Sequence, residues 1–299
     1  MEKNEKTTKK KEKRKFNIYK LFTVLLAAIL LVIVGYMLRN WIVERNAQKQ
    51  YEDLAESVNR LQNQVSDNAI TPAGDRQDAS TEVMETETED AQEESDSAIA
   101  GVDIPQKQLD WNELAKVNPD IYAWIYIPGT QVDYPVLQHP TDNTYYLNYN
   151  MNGTRGYPGC IYTEKANSKE FTDFDTVVYG HNMRNDTMFA SLHNYEDQTF
   201  FNNFPYIYVY TKEKVLVYEI FAAYKTDDAH ILHTNDFSTK EGRVSYLESI
   251  VKKSKNSPEV KDKIQLSVDS HLLTLSTCVS KEADKRFVVQ AILLNEEQL

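Results

Sequence analysis

From Leu272 to Leu294 the chain reads LLTLSTCVSKEADKRFVVQAILL. Two runs rich in aliphatic and β-branched residues, Leu272–Thr277 and Phe287–Leu294, flank a polar stretch, so the segment predicts two strands. The first run delivers Cys278 at its C-terminal end, and strand ends are rigid platforms for a reactive side chain. Arg286 opens the second run; if the two strands pair as a hairpin, a thiol and a guanidinium sit side by side. Lys285 alternates to the opposite face and lacks the forked donors of Arg286.

Upstream, the same reading places strands at Tyr122–Ile127, Val132–Leu137, Cys160–Thr163, Thr176–Tyr179, Tyr206–Thr211 and Val215–Tyr224, the first two joined at the turn Pro128-Gly129-Thr130. Helices are short and few. Asp110-Trp111-Asn112-Glu113 starts one as a capping box that ends before Asn118-Pro119. A second covers about Met188–Asn194. A longer one lies near Lys240–Lys253, where Val244, Leu247, Ile250 and Val251 form an amphipathic face. About eight short strands with sparse helices predict a mainly β fold, a closed or partly closed β-barrel, over residues 104–299.

The rest of the chain reads as an anchor and a linker. Residues 1–20 hold nine bases against three glutamates, a net of +6, so the remainder of a chain of formal charge −12 carries −18. An acidic bulk argues against a nucleic-acid partner. No residue from Leu21 to Leu38 is charged, and such a helix spans ~27 Å, close to the hydrocarbon thickness of a bilayer. The run is longer than that of a cleaved signal peptide, so residues 21–41 are expected to be an uncleaved transmembrane anchor. The basic tail holds the N-terminus in the cytoplasm and everything after Trp41 outside the cell membrane. Over residues 42–65, Ala47, Tyr51, Leu54, Val58, Leu61 and Val65 recur at steps of three and four and predict a short stalk helix, either alone or self-associated. Residues 66–103 are rich in Asp, Glu, Thr and Ser and read as a disordered tether with a reach of ~30–35 Å.

The candidate chemistry lies in the β-rich part. His181 follows the strand Thr176–Tyr179 and Gly180. Strand ends converging on one rim would unite a nucleophile (Cys278), an acid/base (His181) and an oxyanion stabiliser (Arg286). Asn182, Ser276 and Thr277, beside these residues, are candidate substrate-binding positions; Asn182 either orients His181 or caps the following turn. Cys160 and Cys278 are the two cysteines. They lack the paired spacing of a zinc site; either a disulfide joins them, which would silence the thiol, or Cys160 is a small buried hydrophobe. His230 and His233 sit at i,i+3 with acidic neighbours and have the ligand types of a metal site, but solvated loop histidines explain them equally well. No metal or organic cofactor is expected. His271 lies ~23 Å from Cys278 on one extended strand, too far to act on it, and His139 and His193 show no partner pattern.

Four blocks in order, Trp124-Ile125-Tyr126-Ile127-Pro128-Gly129-Thr130, Val178-Tyr179-Gly180-His181-Asn182-Met183, Thr274-Leu275-Ser276-Thr277-Cys278 and Arg286-Phe287-Val288-Val289, resemble the conserved blocks of the sortases. Several features are similar to class B in particular: the His-Asn-Met after the strand, the helix at Met188–Leu192, the entry Asn118-Pro119-Asp120-Ile121-Tyr122, and the helix near Lys240–Lys253. The likeness covers roughly Leu109 to Leu294. The long acidic tether and Cys160 depart from it, and neither touches the proposed chemistry. The resemblance implies a sortase β-barrel without cofactor and a transpeptidase that joins secreted proteins to an amine of the cell wall. Cys278 is then the nucleophile, His181 the acid/base and Arg286 the substrate-stabilising arginine. It further implies partners carrying a C-terminal sorting signal of the Asn-Pro-x-Thr type and a peptidoglycan amine as acceptor. Two rivals stand beside it. A papain-like peptidase would place its cysteine upstream of its histidine and at a helix start, the reverse of this order. A non-catalytic binding module on the same barrel would bury Cys278 far from His181.

Overall fold

A computed structural model describes residues 18–69, 102–254 and 265–298. Residues 1–17 of the expected basic tail and 70–101 of the expected tether lie outside the described residues; residues 18–20 of the tail and 66–69 of the tether are helical. The chain divides into two compact units, Met1–Val43 and Glu44–Leu299.

Helix α1 covers Ile18–Ala69. It contains an 18-residue window of mean hydropathy 2.8, none of it buried, so by length and composition it is able to cross a membrane. The expected stalk, residues 42–65, falls within the bounds of this helix. Part of its apolar stripe packs within the same chain. Ala47, Tyr51 and Val58 are buried within the second unit. The Tyr51 hydroxyl donates to the Gly159 carbonyl at 2.7 Å, and the ring stands edge-on to Tyr134 at 5.5 Å between centroids. The periodicity marks a docking face, which a sequence pattern cannot tell from a coiled-coil seam.

Eight strands among the described residues close into a barrel in the order β1-β2-β3-β4-β7-β8-β6-β5. They are β1 (Ile121–Tyr126), β2 (Asp133–Leu137), β3 (Ile161–Thr163), β4 (Asp175–Tyr179), β5 (Tyr206–Tyr210), β6 (Lys214–Asp227), β7 (Leu272–Val279) and β8 (Glu282–Gln298). Closure removes free strand edges. β1 and β2 form the expected hairpin, with Gly129 at φ 75° in its turn; a Cβ there would come within 2.6 Å of the Phe204 ring. The β2–β3 and β4–β7 pairs are parallel. Strands β6 and β8 run longer than their apolar runs predict because they pair with each other from Lys214–Gln298 to Asp227–Lys285. Ladder hydrogen bonds carry their polar ends, which burial alone would not.

The helix α2 (Trp111–Val117) starts at Asp110, whose carboxylate accepts from the amides of Asn112 and Glu113. Glu113 turns instead to Lys116 at 2.6 Å, so the capping box is half-made. The helix expected at Met188–Asn194 is a 3₁₀ turn at Ala190–Glu196; Met188, at φ 57°, stands outside it. Three short helices escape the sequence reading: α3 (Tyr145–Asn148), α4 (Gln198–Asn203) and α5 (Ile231–Thr234). None is long enough to show a period. The last helix, α6 (Lys240–Ser254), packs Tyr246 and Ile250 beside β6. There Asp175, buried, accepts from Tyr246 (2.7 Å) and Thr274 (2.9 Å), and Gln290 donates to both hydroxyls. Burial pushes the Asp175 carboxyl up to about 6.

Candidate active site

The strand order brings the distant residues together. β4 and β7 run parallel with Tyr179 opposite Ser276, and the Gly180 amide donates to the Ser276 carbonyl at 3.2 Å, so both strands end on the same side. His181 follows the end of β4, and Cys278 stands at the end of β7. β7 and β8 form an antiparallel hairpin in which Cys278 faces Arg286. The register shifts immediately after Cys278, so Ala283–Lys285 bulge from the ladder. Such bulges re-aim side chains. Arg286 donates from one Nη to the carbonyls of Ala283 (3.0 Å) and Lys285 (2.9 Å), which fixes the guanidinium over the bulge.

Cys278, His181 and Arg286 line one cavity of about 370 Å³, together with Leu147, Tyr162, Glu164, Ser276 and Thr277. Both thiols are free: Cys278 is exposed and Cys160 buried, so the structure contains no disulfide between them. Burial pushes the Cys160 thiol up to about 12, an inert state. The half-buried His181 donates from Nε2 to the Leu147 carbonyl at 2.8 Å, which leaves Nδ1 as its basic nitrogen. Burial lowers its pKa below the ordinary value, and the Leu147 hydrogen bond opposes this in part. Gly159, at φ 68°, lets the backbone pass under the ring; a Cβ there would lie 3.3 Å from the imidazole and 2.8 Å from the Tyr146 carbonyl.

Of the remaining candidates, Asn182 neither orients His181 nor caps a turn. Its amide donates to the Cys278 carbonyl at 2.9 Å and lies 3.1 Å from His193 Nε2. His193, to which the sequence assigned nothing, stands 3.2 Å from the same carbonyl. It stacks on Phe287 and is held at Nδ1 by Glu196 at 2.8 Å. Glu196 is a local partner at i,i+3, but Asn182, the Cys278 carbonyl and Phe287 come from distant segments, so local spacing could not reveal its place beside Cys278. Ser276 and Thr277 line the cavity although both are mostly buried, and Thr277 Oγ1 has no hydrogen-bond partner. His271 bonds to the Asp173 carbonyl at 3.0 Å, and His139 accepts from the amides of Thr141 and Asp142.

Residues 125–294 match the sequence profile of the Sortase domain. Sortase B of Listeria monocytogenes is 34% identical over 189 residues, covering 62% of this chain and 74% of the relative. Sortase B of Staphylococcus aureus is 30% identical over 186 residues, with the same shares. Among solved structures, Clostridium perfringens sortase B superposes with a TM-score of 0.56 at 35% identity, covering 62% of this chain and 99% of that one. A Staphylococcus aureus sortase B–substrate complex superposes with a TM-score of 0.55 at 31% identity, covering 62% and 84%. The chain belongs to the sortase family, as a class B transpeptidase of the kind that attaches proteins to the cell wall.

Proposed function

We propose that this chain is a membrane-anchored sortase whose nucleophile is Cys278, whose acid/base is His181 and whose oxyanion-stabilising residue is Arg286. The observation that carries the reading is the common cavity: an exposed thiol, a half-buried imidazole and a guanidinium line it together. Neutral His181 takes the thiol proton as the sulfur attacks the backbone carbonyl of a sorting signal. Arg286 stabilises the negative oxygen of the tetrahedral intermediate. The intermediate collapses to a thioester as His181 returns the proton to the departing amine. A peptidoglycan amine then enters, loses a proton to His181 and attacks the thioester, which releases the thiol and forms the new amide. Ser276 and Thr277 bind substrate from the wall of the same cavity, and Asn182 supports the nucleophile through the Cys278 carbonyl. The donor is a secreted protein with a C-terminal signal of the Asn-Pro-x-Thr type. The apolar part of α1 crosses the membrane once, with the basic tail inside and the barrel outside.

The test is ligation of an Asn-Pro-x-Thr-type peptide to an amine acceptor by the full chain in detergent. Wild type forms product, Cys278→Ala forms none, and Arg286→Lys is slower by about 100-fold, since a single ammonium cannot replace the fork. No product from wild type, or undiminished product from Cys278→Ala, rejects the reading.

A further inference from the structure

Beside the catalytic cavity lies a second cluster that the transpeptidase chemistry does not use. Glu164 directly follows β3, while His230 and His233 lie at α5, in the segment after β6. One ligand atom from each of the three falls within 4.8 Å of the other two. His230 Nε2 stands 2.8 Å from Glu164 Oε1, His233 Nε2 stands 3.7 Å from Glu164 Oε2, and the two imidazole rings are 4.0 Å apart. Metal–ligand bonds of about 2.0–2.1 Å in a tetrahedron place ligand atoms roughly 3.3 Å apart, and these two spacings bracket that value.

We propose that Glu164, His230 and His233 form a binding site for a divalent transition metal of the zinc class. The donor set selects the metal. Two imidazoles and one carboxylate suit zinc and its neighbours, whereas calcium and magnesium require six or more oxygen ligands, or water in their place. The anchor of the site is built in advance. The Glu164 side chain is only 8% exposed, and Asn143 donates to its Oε2 at 3.1 Å. Outer hydrogen bonds of this kind hold a ligating carboxylate in place. The Nδ1 of His230 is buried and without a partner, so the hydrogen-bonded contact of this ring is with the carboxylate that would share the metal. Metal entry replaces the His230–Glu164 hydrogen bond; if the Nε2 proton is the one shared, it leaves to solvent or moves to Nδ1. Three protein ligands leave a fourth position for water. A metal here fastens the segment after β6 to the end of β3. Glu164 and His230 both line the cavity that holds Cys278, so the occupied site forms part of its wall. The proposal is independent of the role assigned to Cys278.

The experiment is calorimetric titration of Zn²⁺ into the full chain carrying Cys278→Ala, which removes the exposed thiol as a competing ligand. The same titration is repeated with His233→Ala and with Glu164→Gln added. His233 is largely exposed, so its removal leaves the fold intact; the thermal midpoint of each variant without metal checks this. One equivalent of Zn²⁺ binds and raises the thermal midpoint, Ca²⁺ and Mg²⁺ do neither, and either added substitution weakens binding by about tenfold or more. No saturable uptake, or uptake undiminished by His233→Ala, overturns the proposal. So does zinc held by the wild-type chain and lost on Cys278→Ala alone.

Discussion

Cys278 ends a strand whose last turn of ladder is held from outside the sheet. Its carbonyl accepts from the Asn182 amide, and His193 sits on the same oxygen. Together they fix the backbone that carries the sulfur, immediately before the register shift that would otherwise leave it loose. Asn182→Ala is expected to lower kcat by up to about 100-fold, because small misplacements of a reacting atom cost that much. Thermal stability and peptide KM should change little. A fall in KM-limited rate alone, with kcat intact, would assign Asn182 to substrate binding. At His181 the sign of the pH dependence follows from burial. The proposed first step needs a neutral imidazole, and burial lowers its pKa from 6.5. The acid limb of kcat/KM is therefore expected below pH 6.5, as measured by ligation rates across buffers of constant ionic strength. A limb above that value contradicts the assigned role.

At the scale of elements, the docked part of α1 carries a prediction of its own. Tyr51 is 3% exposed and joins the helix to Gly159, next to the block that passes under His181. Tyr51→Ala is expected to destabilise the barrel unit by about 3 kcal/mol, read from denaturant unfolding, since it removes a large buried ring and one buried hydrogen bond. No change in the unfolding midpoint would mean that the helix is not part of the folded unit. The positions of Ala47, Tyr51 and Val58 were legible as an apolar stripe, but the surface they bury against was not, because periodicity gives a face and no partner. The same limit explains other departures. The eight strands were readable from β-branched runs and turn residues, whereas the ends of β6 and β8 were not, because their polar termini are held by pairing. Cys278 and His181 could be placed at strand ends from sequence, and Arg286 beside Cys278, although Arg286 lies inside β8 after a bulge and does not open the strand. The contact that gives Asn182 and His193 their place could not be read, since it is a backbone carbonyl some 85 to 96 residues away.

For the whole molecule, the barrel converts chain distance into one working surface. The parallel β4–β7 pair aligns two strand ends, the β7–β8 hairpin adds the arginine, and closure through β1–β5 makes the platform rigid. In the proposed reaction the thioester must meet an amine before water, and a fixed platform favours the oriented nucleophile. The central claim is that the reaction passes through an acyl group on Cys278. Mass spectrometry of the full chain after mixing with an Asn-Pro-x-Thr-type peptide, without an amine acceptor, followed by proteolytic mapping, tests it most directly. The expected result is an adduct with the mass of the acyl fragment on the peptide that contains Cys278, absent in Cys278→Ala and discharged when an amine is added. An adduct on another residue, or ligation that proceeds with Cys278 unmodified and dispensable, would contradict the account.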